Sequence, residues 1–174
     1  MTAPANKEQE ICKACGFCCD GTLFTRATSF KGEQILPKMI HDTDKNGDTW
    51  IKLPCQYFDE CCTVYDKKRP NICGDFKCHL LKKSIKGKMA FDDLAQLIEQ
   101  IKTQKERISK LLPNHPEGER LQSSFDEFME QHKSKLDQKE FRLQHSQLLM
   151  EWASYQNRLT KFSKPNADTK KEQQ

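Results

Sequence analysis

Apolar residues in the C-terminal half of the chain fall on helical spacing. Phe91, Leu94, Ile98, Ile101, Ile108 and Leu112 recur at steps of three and four, which predicts a helix near 91–112 with Asp92 or Asp93 favouring its N-terminus. Pro113 and Pro116 interrupt that period, and Pro116 is placed to open a second helix carrying Leu121, Phe125, Phe128 and His132. Asp137 and Glu140 have capping-box spacing for a third, along which Phe141, His145, Leu148, Trp152, Tyr155, Leu159 and Phe162 alternate by four and three. Such a stripe needs a surface to cover it. Packing within the chain is one way to supply that surface, and a dimer or a protein partner docked on the C-terminal helices is the other.

The N-terminal half has no comparable period. Asn46-Gly47 favours a type I′ hairpin turn, after which Trp50-Ile51-Lys52-Leu53 reads as a returning strand that delivers Cys55. Thr63-Val64-Tyr65 reads as a short strand and Lys67-Lys68-Arg69-Pro70 as a turn. Asp42-Thr-Asp44-Lys-Asn46-Gly47-Asp48 imitates the start of an EF-hand loop. Its twelfth position is Leu53, where a bidentate glutamate is required, so the hairpin is preferred.

With 31% charged residues among 174 and a mean hydropathy of -0.85, little apolar material is left for a core, and Phe, Leu and Ile are sparse between Cys12 and Cys78. That half needs stabilisation from disulfides or metal. The opening Met-Thr-Ala-Pro-Ala-Asn-Lys is polar, without the apolar run of an export signal, and no stretch approaches a transmembrane span. A cytoplasmic setting is therefore expected, where thiols stay reduced and metal is preferred to disulfides. The net charge of +4 gives no clear nucleic-acid signal.

All nine cysteines lie between Cys12 and Cys78. Cys12 and Cys15 have the spacing of a C-x-x-C knuckle, in which a short loop turns two sulfurs inward; Cys15 and Cys18 repeat it, and Gly16 suits a tight turn. Cys19 is adjacent to Cys18, and vicinal side chains diverge, so it serves a second metal or stands as a supporting or reactive thiol. The second group is Cys55, Cys61, Cys62, Cys73 and Cys78, which tertiary folding must gather. Lys67, Lys68, Arg69, Lys77, Lys82 and Lys83 are near enough in sequence to offset excess thiolate charge, Arg69 being the best placed as a fixed donor. His79, next to Cys78, is an alternative ligand, whereas His132 and His145 fall on helical apolar stripes. An all-sulfur set suits both zinc and an iron–sulfur cluster.

Cys12-x-x-Cys15-Gly-x-Cys18-Cys19, then Cys55, then Cys62-Thr-Val-Tyr65-x-x-x-Arg69-Pro70-x-x-Cys73-x-x-Phe76-x-Cys78, resembles the CxxCxxCC cysteine-cluster family, also called the YkgJ family. The resemblance covers roughly residues 10 to 80. It implies a zinc- or iron-chelating domain whose metal-associated residues are Cys12, Cys15, Cys18, Cys19, Cys55, Cys62, Cys73 and Cys78; Cys61 has no counterpart in the pattern. The family's relatives include flagellin lysine N-methylases, but no Gly-rich loop follows a strand here to hold S-adenosylmethionine.

The expected fold is α+β. A polar start (1–10) precedes a small metal-centred cysteine-cluster domain of short strands and irregular loops (11–85). A helical hairpin or bundle (86–162) and a disordered tail (163–174) follow. The expected function is thiolate-based binding of zinc or an iron–sulfur cluster. An iron–sulfur-dependent protein-modifying enzyme, or metal storage and delivery, are the alternatives.

Overall fold

The computed structural model describes residues 7–163, so the expectations for the first six residues and for the tail beyond Ser163 lie outside the described residues. Within that range the chain is mixed α and β, with seven α-helices, a 3-10 turn, a three-stranded antiparallel sheet and a two-stranded ribbon. It divides into two compact units. The first runs through Phe76 and takes up Asn114–Asp126; the second comprises Lys77–Pro113 and the residues from Glu127 onward. The division thus falls between Phe76 and Lys77, ahead of the expected boundary at residue 85, and it puts Cys78 in the second unit.

The first unit opens with α1 (Lys7–Cys15) and contains β1 (Arg26–Ser29), β2 (His41–Thr43), β3 (Thr49–Lys52), β4 (Phe58–Asp59), β5 (Cys61–Cys62) and α2 (Asn71–Asp75). The sheet order is β1-β3-β2, with Ala27 and His41 both opposite Ile51, and Thr28 and Asp42 both opposite Trp50. Strand alternation sends Ile51 into the core and Trp50 to the other face, where the Arg26 guanidinium lies 4.4 Å from its ring centre. The β2–β3 hairpin forms as expected, but not through a type I′ turn. Asp44 Oδ1 accepts the Asn46 and Asp48 amides, the Gly47 amide donates to the Asp44 carbonyl, and only Gly47 has positive φ (83°). The aspartate thus selects a type I turn followed by a left-handed glycine.

A second correction falls at Thr63-Val64-Tyr65. The strand ends at Cys62, because the Thr63 amide and hydroxyl both donate to the Tyr57 carbonyl at 2.9 Å, and residues 63–66 turn at once. Val64, within that turn, is buried.

The second unit holds α3 (His79–Ile85), α4 (Phe91–Leu111), α6 (Lys139–Gln144) and α7 (Ser146–Ser163), while α5 (Leu121–Gln131) is divided between the units. Here α4 buries Leu94, Ile98, Ile101 and Ile108, and α7 buries Leu148, Trp152, Tyr155, Leu159 and Phe162. The two helices pack together, with α3 against both and α6 against α7. Buried Gln104 ties α4 to α7 by donating from Nε2 to the Glu151 carboxylate (2.7 Å) and carbonyl (3.1 Å).

The first predicted helix is found, and the other two are modified. Pro116 does not open α5: Gly118 adopts φ +80°, the Glu119 amide bonds back to the Pro116 carbonyl, and the helix begins at Leu121. The capping box at Asp137 is not formed, since α6 starts after Gln138 without a side-chain cap. The long stripe breaks at His145 into α6 and α7, and Ser146 Oγ donates to the Leu143 carbonyl, one of those freed by the break. Phe141 and the α7 positions named above remain buried, so the apolar period survives the interruption. No described helix is long and apolar enough to cross a membrane.

Candidate metal centre

Cys12 and Cys15 are not on a knuckle loop. They lie on α1, three residues apart and therefore on one face, with Cys12 exposed and Cys15 half-buried at the helix end. Gly16 (φ +71°) ends α1, and any Cβ there would run into the Phe58 ring. The chain then turns through Cys18 and Cys19, whose amide bonds the Gly16 carbonyl at 2.7 Å. Gly21 (φ +77°) continues the turn, and its carbonyl accepts Arg120 Nε at 2.9 Å.

Cys55 enters at the end of the segment leaving β3. Its amide donates to the Cys19 carbonyl at 2.7 Å, joining the two cysteine groups through the backbone. Cys62 sits in β5, against which α1 packs, and Cys73 sits in α2. The four thiols of Cys19, Cys55, Cys62 and Cys73 are near enough to feel one another's charge. Burial, followed by the neighbouring Cys62, Cys55 and Cys73, pushes Cys19 up to about 12. Burial and then Cys55 push Cys73 up to about 11, against the pull of Arg69, although the residue itself keeps an exposed surface. Burial also raises Cys55, with Cys62 adding to it.

Tyr65 and Arg69 brace this group. The Arg69 guanidinium lies 3.9 Å from the Tyr65 ring centre, and its Nη1 is 4.0 Å from Cys62 Sγ, the long end of an N–H···S contact. Lys13, between Cys12 and Cys15 on α1, reaches the same ring at 5.8 Å and pairs with Asp66 at 3.4 Å. The Tyr65 ring therefore meets a cation from each of the two cysteine groups. Of the six basic residues expected to offset thiolate charge, Arg69 acts on Cys62 and Cys73, and Lys82 acts on Cys78.

Cys78 belongs to the helical unit. It caps α3, its sulfur accepting the Leu81 amide at 3.4 Å, and burial raises its thiol. His79 is the first residue of the same helix. His132 and His145 stack among Phe128 and Phe141, as their stripe positions imply. Cys61, outside the motif, is half-buried in β5.

No disulfide links any of the nine cysteines. Among the described residues, no group of three or more His, Cys, Asp or Glu side chains stands ready to hold a metal ion. The sulfurs are neighbours without being a closed coordination shell. Their donor chemistry nevertheless fits a thiophilic ion: sulfurs from the turn after α1 (Cys19), the segment leaving β3 (Cys55), β5 (Cys62) and α2 (Cys73), with a guanidinium beside them.

Glu33 belongs to no cysteine motif yet supports this group. Its carboxylate accepts Ser29 Oγ (2.8 Å), the Phe30 amide (3.1 Å) and the Asn71 amide at the start of α2. Desolvation alone would raise the carboxyl; these donors outweigh it and hold it below its ordinary value. A glutamate between Gly32 and Gln34 carries no sequence signal for this role. Comparison with protein-family models, curated proteins and solved structures found no match for the chain.

Proposed function

We propose that the chain is a metal-binding cysteine-cluster protein, in which thiolates of the first unit hold zinc or an iron–sulfur cluster. The observation that carries this reading is the gathering of Cys19, Cys55, Cys62 and Cys73 in the unit that has the smaller core. Among the described residues, twenty large apolar side chains are buried. Only Phe17, Met39, Ile51, Val64, Leu121 and Phe125 belong to the first unit, although it holds about half of those residues. A unit so poor in apolar burial gains most from a cross-link that binds only the folded state.

Cys19, Cys55, Cys62 and Cys73 would supply the nearest set of thiolates, and Cys12, Cys15 and Cys18 a second set from α1 and the turn after it. Bound metal would supply the positive charge that lets several thiolates coexist in a half-buried site. Arg69 offsets the remaining negative charge from its fixed place on Tyr65. The resemblance to the CxxCxxCC family supports the same reading, and a reducing compartment would keep the thiols available.

The test is anaerobic purification followed by elemental analysis and an absorption spectrum of one sample. Stoichiometric zinc without a visible band identifies a zinc site. Iron with matching sulfide and a broad band near about 400 nm identifies a cluster. A chain that carries neither metal, and takes up neither on reconstitution, refutes the reading.

A further inference from the structure

Helix α2 spans only five residues, and its N-cap, Pro70, offers no side-chain hydrogen bond. So short a helix cannot hold its own geometry in water. What ties it to the sheet is Glu33. One carboxylate oxygen takes the amide of Asn71, two residues ahead of Cys73; the other takes the hydroxyl of buried Ser29, at the end of β1, and the Phe30 amide. Helix α2 packs against β1, and Glu33 spans that junction with charge-assisted bonds on both sides.

We infer that Glu33 is a positioning residue for Cys73, fixing α2 on β1 so that this thiol stays within reach of Cys19, Cys55 and Cys62. The inference rests on the metal-binding reading of those thiols. Neither Gln nor Asp replaces the side chain. Gln offers a single acceptor oxygen where two are used, and Asp is one methylene short of the junction.

Cobalt(II) loaded into the full chain tests this, because thiolate-to-cobalt absorption reports how many sulfurs are bound. Glu33→Ala should lose the same increment of that absorption as Cys73→Ser, and the double variant should lose no more than either. Alkylation of the loaded chain, read by peptide mass spectrometry, should rise about tenfold or more at Cys73 while Cys19 and Cys55 stay protected, since charge-assisted bonds of this kind are lost. Glu33→Gln should behave like Glu33→Ala. An unchanged cobalt band in Glu33→Ala overturns the inference alone. Alkylation rising equally at all the cysteines also overturns it, showing that Glu33 supports the whole unit rather than Cys73. A wild-type chain with no thiolate–cobalt band overturns the inference, and one that also takes up neither zinc nor iron overturns the metal-binding reading with it.

Discussion

The Cys55 amide donates to the Cys19 carbonyl over 2.7 Å, which lays the segment leaving β3 directly against the turn that follows α1. That bond fixes the backbones of the two cysteine groups before any sulfur is ligated. Replacing Cys19, Cys55 or Cys62 by Ser keeps the bond but removes a thiolate. Each variant should therefore lose metal while the apo fold stays as it was. Elemental analysis beside far-UV circular dichroism checks this, and full metal content in all three variants would contradict it.

Gly16 sits where φ is +71° and a Cβ would strike Phe58. Gly16→Ala should destabilise the first unit by about 1 kcal/mol or more from backbone strain alone, with the clash added. Denaturant unfolding of the metal-free chain measures it. An unchanged midpoint would show that the turn relaxes freely.

In the metal-free chain the Cys19 thiol, raised to about 12, resists ionisation, whereas an unfolded cysteine ionises near about 8.5. The sign follows from proton linkage: between those values the unfolded state loses its proton first and is favoured. This contribution to stability is complete below about pH 8.5 and declines as pH rises through about 12. Unfolding of the apo chain at stepped alkaline pH should show that decline, and Cys19→Ser should make it shallower, the raised Cys73 thiol keeping part of it. Metal-loaded protein, whose thiolates are already ionised, should lack this dependence.

The helical unit stands on its own packing. Ile101 is fully buried on α4, so Ile101→Ala should cost about 2–5 kcal/mol without altering metal content. Coupled loss of metal in that variant would show that the two units do not act separately.

Much of the helical unit was legible in the sequence, because burial follows period. Leu94, Ile98, Ile101 and Ile108, and then Leu148 through Phe162, lie where the three-and-four spacing places them. The misread ends have local causes. His145 breaks the stripe without changing its phase, and Gly118 delays α5 beyond Pro116. In the cysteine unit the motif picked out cysteines that the fold brings near one another, Cys19, Cys55, Cys62 and Cys73, but not their geometry. Cys12 and Cys15 ride a helix rather than a knuckle, and Cys78 caps α3. Tyr65 and Arg69 were visible as part of a pattern, and their stacking explains the spacing between them. Glu33 had no signature, because its partners Ser29 and Asn71 are brought together only by tertiary structure.

Amide hydrogen exchange before and after chelation, read by peptide mass spectrometry, tests the central claim most directly. Metal removal should lower protection in β1, β3 and the segments carrying Cys19, Cys55, Cys62 and Cys73, while α4 and α7 keep theirs. Protection that stays unchanged throughout the first unit after complete metal removal would contradict the account.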